Sequence, residues 1–164
     1  MPKIKDRHVA RDGAMMLWSL LLHQEAIMSM NVQKVQYFVM HVANRTGEAA
    51  RVLDTLKAQK VNLLAFTGFP EGRSAQMDFV PERSTPFLRA TRKAKLKVSA
   101  KKAGFLIRGT DAPGAVANVM DKLAAAKINV TAVDAVNAGN GRYGAMLWVK
   151  QKDVSRAAKM LHAK

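Results

Sequence analysis

The sequence predicts an α+β protein built from two copies of one βαββαβ unit in tandem, the second copy stopping before its last strand. Three observations predict it. Residues 44–62 recur 67 positions later as residues 111–129. Within each copy the apolar residues switch between the two-residue period of strands and the 3.6-residue period of helices. Turn-forming residues stand where the period changes. The matched positions include Gly47/Gly114, Val52/Val119, Asp54/Asp121, Leu56/Leu123, Lys60/Lys127 and Asn62/Asn129. Further on the register reads as an offset of 69, with Gly72-Arg73 against Gly141-Arg142, Met77 against Met146 and Phe79 against Trp148.

Each element follows in order. Tyr37–Ala43 and Phe105–Thr110 are short runs rich in β-formers and read as first strands. Asn44 and Asp111 are good N-cap residues, and Pro113 sits where a first helical turn accepts proline. The stripes Ala49, Val52, Leu53, Leu56 and Val116, Val119, Met120, Leu123 have the i, i+3, i+4, i+7 spacing of one buried helix face. Val61–Phe66 and Ile128–Val136 are second strands. Gly68–Gly72 and Gly139-Asn140-Gly141 are turns, and Ala75–Val80 and Gly144–Val149 are third strands. Ser84 and Asp153 read as N-caps of second helices, with stripes at Phe87, Leu88, Thr91 and at Val154, Ala157, Ala158, Leu161. Leu96, Val98 and Ala100 alternate with polar residues as a fourth strand, for which the second copy has no counterpart. The expected sheets are ferredoxin-like, order 4-1-3-2 in the first module (residues 31–102), with the place of strand 4 left empty in the second (residues 103–164).

Two expectations follow about contacts. Without a fourth strand beside it, Phe105–Thr110 lies at an open edge, which invites pairing within the tandem or across a homodimer. On the third strands Met77/Phe79 and Met146/Trp148 are expected to share the helix-covered face. That leaves Ala145, Leu147 and Val149 as an apolar outer face of the second module, a second surface for a dimer.

Residues 1–30 stand apart as an extension. Lys3, Lys5, Arg7 and Arg11 precede the apolar run Ala14–Leu22. The run is too short for a membrane-spanning helix, which needs about 20 residues, and His23-Gln24-Glu25 is a poor leader-cleavage region. The expectation is a loosely helical or poorly ordered stretch, with translation starting at Met28 or Met30.

Composition narrows the function. The chain has no cysteine, which excludes disulfides, zinc-thiolate sites and thiol nucleophiles and agrees with a cytoplasmic location. The net charge is +15, divided as +1 over residues 1–30, +7 over 31–100 and +7 over 101–164. It is a field spread over both copies, suited to a solvated surface or to anionic partners. His8, His23, His41 and His162 match no metal-ligand spacing, and no nucleophile-base constellation is present. Neither an enzyme nor a cofactor or metal is expected.

Asp111-Ala112-Pro113-Gly114, followed by an amphipathic helix and Ile128-Asn129-Val130, resembles the ACT domain. Asn44-Arg45-Thr46-Gly47 with Val61-Asn62-Leu63 is similar to the same motif, with Thr in place of Pro. The resemblance covers residues 34–164 and extends to the small stand-alone tandem ACT proteins of bacteria. It implies a regulatory protein that binds a small molecule, often an amino acid, at the strand-to-helix turns and at contacts between modules. The site residues implied are Asn44, Arg45, Thr46 and Gly47 in the first copy and Asp111, Ala112, Pro113 and Gly114 in the second. A helix N-terminus presents free N–H groups to a carboxylate, and glycine admits a ligand close to the backbone. The bland alternative is that Asn44 and Asp111 only cap helices. The family's serine-sensing pattern places His two residues before the motif Asn. Val42 stands there, and His41 lies on the other face of the strand. Asn62 and Asn129 are expected to order the helix-to-strand turns.

The competing reading is nucleic-acid binding. The RNA-binding RRM fold has the same βαββαβ order, and Arg89, Arg92, Lys93, Lys95, Lys97, Lys101 and Lys102 form a basic stretch. The alternating aromatic residues that stack bases are missing, with Met146 in one such place.

Overall fold

The computed structural model describes residues 30–164, so the expected N-terminal extension, loosely helical or poorly ordered, lies outside the described residues save for Met30. The elements are β1 (Asn31–Ala43), α1 (Glu48–Ala58), β2 (Leu63–Glu71), β3 (Ser74–Pro81), α2 (Ser84–Lys93), β4 (Lys102–Thr110), α3 (Ala115–Ala125), β5 (Val130–Gly139), β6 (Arg142–Val149) and α4 (Val154–Met160). A 3₁₀ turn at Gln151–Asp153 leads into α4. The strands form a six-stranded sheet of order β2-β3-β1-β4-β6-β5, with every neighbouring pair antiparallel.

β1 does two jobs. Its first half, Asn31–Tyr37, pairs with β4, while its second half, Phe38–Ala43, pairs with β3. The expected open edge at Phe105–Thr110 is therefore closed within the chain. The expected fourth strand at Leu96–Ala100 does not form as a regular strand. Only Ser99 is tied to β1, its N–H donating to the Val39 carbonyl (2.8 Å) and its hydroxyl accepting from the Val39 N–H (2.9 Å). Leu96 and Val98 still pack against the core beneath α1 and α2.

The helices end alike. Lys60, Lys95, Lys127 and His162 take positive φ of 51–55°. The next N–H, from Val61, Leu96, Ile128 and Ala163, returns five residues to the carbonyl of Leu56, Thr91, Leu123 and Ala158. This is the Schellman closure, which satisfies carbonyls a helix end would otherwise leave orphaned.

Two clusters lie under the helices. One joins Phe38, Met40, Met77 and Phe79 to Val52, Leu56 and Phe87. The other joins Val32, Phe105, Tyr143 and Leu147 to Val119, Leu123, Ala157 and Leu161. Val32, Phe38 and Met40 are on the same side of β1, so the helices occupy one side of the sheet. The helix-free side is buried as well. Val35, Tyr37, Val39, Val80, Leu106, Met146 and Trp148 form a third cluster, joined by Leu64 and Ala65 of β2 and Ala132 of β5. β2 and β5 are the outermost strands, so this cluster spans the helix-free side from edge to edge and forms its apolar seam.

This corrects the expected faces of β6. Ala145, Leu147 and Val149 lie under the helices, and Met146 and Trp148 lie in the seam. The β2–β3 turn is Gly72-Arg73 and the β5–β6 turn is Asn140-Gly141, so β3 and β6 correspond at an offset of 68, not 69. One residue of slip sends every side chain to the other face. The extra residue in the second copy is taken up at the register shift between Asn137 and Gly139. Gly68–Glu71, expected as turn, continues β2.

Candidate functional site

The two strand-to-helix turns are built the same way. Gly47 (φ 89°) and Gly114 (φ 84°) take the left-handed conformation just before α1 and α3. The first intrahelical bonds run from Arg51 N–H to the Gly47 carbonyl (2.9 Å) and from Asn118 N–H to the Gly114 carbonyl (3.0 Å). The earlier N–H groups of each helix have no intrahelical acceptor.

Asn44 and Asp111 do not cap these helices; neither helix has a side-chain cap, and Gly47 and Gly114 occupy the N-cap positions. They anchor the neighbouring hairpins instead. The Asn44 N–H donates to the Arg73 carbonyl (3.0 Å) and the Asp111 N–H to the Gly141 carbonyl (2.8 Å). The Asn44 amide also donates to the Gly72 carbonyl (3.1 Å). The Asn137 amide donates to the Asp111 carboxylate, while its oxygen accepts from the Gly139 N–H (2.8 Å). Pro113 precedes α3 and is not part of its first turn. Ser84 is likewise no cap, its hydroxyl donating to Gln36 Oε1 (2.7 Å). Asp153 does stand at the N-cap of α4, but its carboxylate accepts from Arg156 (3.1 Å) and not from the helix backbone.

Each turn opens on a cleft. The first, about 450 Å³, is lined by Asn44, Arg45, Gly47 and Glu48, by Phe66, Gly68, Phe69 and Pro70 of β2, and by Ala75 and Met77 of β3. The second, about 430 Å³, is lined by Asp111, Ala112 and Gly114, by Ala115–Ala117 of α3, by Ala135–Asn137 of β5 and by Tyr143. Six of the eight expected site residues thus line clefts, and Thr46 and Pro113 do not. His41 lies on the other side of β1 from Val42, beside Glu71 (3.6 Å), and lines neither cleft. Asn62 ties its turn to Glu82, as donor to the carboxylate (3.3 Å) and acceptor from the backbone N–H (3.1 Å).

The clefts differ in charge. Glu48 is buried at the first position of α1 and accepts from Arg51 (2.8 Å) and Arg45 (2.9 Å). Those two guanidiniums hold its carboxyl below the usual carboxylate range. The corresponding residue of α3 is Ala115, and no acid stands in that helix's first turn. Sequence reasoning missed Glu48. Its signal was an acidic residue directly after the turn glycine, flanked by arginines three positions to either side.

The sheet with its helices on one side is similar in fold to several solved structures, among them regulatory subunits of aspartate kinase. The solved structures most like it include protein BT0572 from Bacteroides thetaiotaomicron, with 17% identity, a TM-score of 0.70, and 80% of this chain and 89% of that one covered. The regulatory subunit of aspartate kinase from Thermus thermophilus, in its ligand-free form, matches at 16% identity and a TM-score of 0.59, covering 84% and 97%. That from Thermus flavus matches at 14% and 0.56, covering 82% and 95%. No protein-family model and no curated protein sequence matches the chain. Among the described residues no helix is long and apolar enough to cross a membrane.

Proposed function

We propose that the protein is a regulatory protein without catalytic activity, which binds an amino acid in the cleft at Asp111–Gly114. The observation that carries this reading is the difference between two otherwise equivalent turns. At α1 the Glu48 carboxylate already holds the positive helix end together with Arg45 and Arg51, so a ligand carboxylate would meet a fixed negative charge. At α3 Ala115 takes that place, its own N–H donating to the Ala112 carbonyl (3.1 Å), and Val116 and Ala117, whose N–H groups have no intrahelical acceptor, line the cleft. A ligand's carboxylate fits there, its ammonium fits Asp111, and Val116, Val136 and Tyr143 offer an apolar wall. The preferred ligand is a small aliphatic amino acid. The turn Asn44–Gly47 accepts only a ligand that replaces Glu48 on Arg45.

We read the chain as two ACT-type modules, residues 31–102 and 103–164, with the first half of β1 standing in as the second module's fourth strand. The recurrence of turns and helix ends at 67 residues supports this, and so does the likeness in fold to aspartate kinase regulatory subunits. A homodimer would form through β2 or β5, the outermost strands, where Phe69 and Val136 are exposed beside the clefts.

The test is a thermal-shift screen of the twenty amino acids against wild type, Ala115→Glu and Glu48→Gln. An aliphatic amino acid raises the wild-type Tm, since a ligand that binds only the native state stabilises it. Ala115→Glu, which copies the acid of the first turn, abolishes the shift, and Glu48→Gln keeps it. A wild-type Tm that no amino acid moves sinks the reading.

A further inference from the structure

α2 and the segment after it carry a concentration of positive charge that the clefts do not use. Residues 83–101 hold seven Lys/Arg and no Asp or Glu, whereas residues 150–164 of the second copy hold five and one. Arg89, Arg92 and Lys93 recur at i, i+3, i+4 on the side of α2 opposite the buried Phe87, Ala90 and Thr91. Lys95 closes the helix, and Lys97 and Lys101 continue the line while Leu96 and Val98 pack inward. All six cations are exposed, and among the described residues none has an acidic partner within ion-pair distance. The acids that are paired elsewhere bind other cations: Glu48 holds Arg45 and Arg51, and Asp153 holds Arg156.

Two of these charges have a local use, because Arg92 and Lys93 in the last turn complement the helix dipole. That does not account for Arg89, Lys97 or Lys101. The ridge runs about 6 Å along the helix and, at about 3.3 Å per extended residue, on the order of 13 Å more from Lys97 to Lys101. No large exposed apolar side chain belongs to it; among the described residues those on the surface are Phe69, Val133, Val136 and Met160. A surface of cations without apolar wedges or aromatic platforms suits a sugar-phosphate backbone better than unstacked bases or a lipid interior. The RRM mode is closed in any case, since Met146 and Trp148 are buried in the seam.

We propose that the Arg89–Lys101 ridge binds the phosphate backbone of double-stranded nucleic acid without reading its sequence. The test is fluorescence anisotropy of the protein with a labelled 20-base-pair DNA of scrambled sequence, between 50 and 200 mM KCl. The expected result is binding that weakens by about 10²–10³-fold over that range, as neutralisation of roughly four to six phosphates requires. Arg89→Gln/Arg92→Gln/Lys93→Gln and Lys97→Gln/Lys101→Gln each weaken binding at least tenfold and flatten the salt slope. Lys150→Gln/Lys152→Gln/Lys159→Gln, with the same change in charge as the triple variant but in the second copy, changes binding less than twofold. Equal losses in the two triple variants would mean net charge alone and overturn the proposal. So would absence of duplex binding at 50 mM KCl, or binding to vesicles containing phosphatidylserine without binding to the duplex. Circular dichroism melts confirm that each variant is folded, and should the triple variant unfold, the Lys97/Lys101 variant decides.

Discussion

Gln36 lies directly opposite Ala103 across the β1–β4 pair, and the two positions are 67 residues apart, the period of the repeat. The pairing is therefore symmetrical about them: Val35 faces Gly104, and Tyr37 faces Lys102, the same pair with its members exchanged. Their surroundings correspond too. The Ser84 hydroxyl donates to the Gln36 side chain, and Gln151, 67 residues after Ser84, brackets the Ala103 backbone with bonds of 2.8 and 2.9 Å. The centre of the chain's internal symmetry is thus a pair of antiparallel strands, and what weakens the seam beside it should weaken both halves together.

Trp148 is the largest side chain of that seam, 4% exposed and edge-on to Tyr37 at 6.2 Å between ring centres. Trp148→Ala is expected to cost about 3–5 kcal/mol. Urea unfolding followed by far-ultraviolet circular dichroism should show one transition moved to lower urea. Two separated transitions would show that the halves unfold independently.

Asp78 sits in the same seam, 5% exposed, accepting from the Gln76 amide at 2.9 Å. Burial raises its pKa above the ordinary carboxylate value, against the opposing pull of the Gln76 bond, Lys102 and His41, and with a small contribution from Asp134. A carboxyl whose folded pKa is raised favours the fold when protonated. Its contribution is full below the unfolded pKa and is lost as pH rises through the folded one. Asp78→Asn, fixed in an uncharged form, is therefore expected to melt a few degrees above wild type at pH 7 and level with it near pH 3.5. Melting curves across that range check the sign.

Glu48 should behave in the opposite sense. Its pKa is lowered, by the Arg51 bond first and the Arg45 bond next. Its contribution is present above the unfolded pKa and disappears as pH falls through the folded one. Glu48→Gln is expected to melt below wild type at pH 7, with the gap closing in acid. A gap that persists at pH 3 would assign the loss to packing.

Gly109 faces Tyr143 across β4 and β6, and a Cβ there would lie 2.5 Å from the ring. Gly109→Ala is expected to cost about 1–3 kcal/mol by overpacking. Gly68→Ala is the control, because its nearest neighbour is the Gln76 carbonyl at 3.9 Å. Chemical denaturation of the two variants should separate them clearly.

Much of this architecture was legible in the sequence, and the exceptions have physical causes. Helix stripes were read correctly because each serves a single buried face: Val52 and Leu56, or Val119 and Leu123. The first half of β1 was missed because its apolar residues serve two faces. Val32 packs under the helices and Val35 in the seam, so no two-residue alternation survives. The faces of β6 were reversed because matching Gly-Arg and Met residues suggested one register while a bulge near Asn137 imposed another. Asn44 and Asp111 were placed at the correct turns, yet their partners lie in hairpins about 30 residues away, which local preference does not encode.

The double pairing of β1 has a consequence in time. This strand, early in the chain, completes its hydrogen bonding only with β4 and with Lys164, whose N–H donates to the Val32 carbonyl (3.0 Å) and whose carbonyl accepts from the Lys34 N–H (2.8 Å). Closing loops of that length must precede the contacts that reward it, which slows folding. The first half of β1 therefore keeps an unpaired backbone until β4, about 70 residues further along the chain, has been made and has docked.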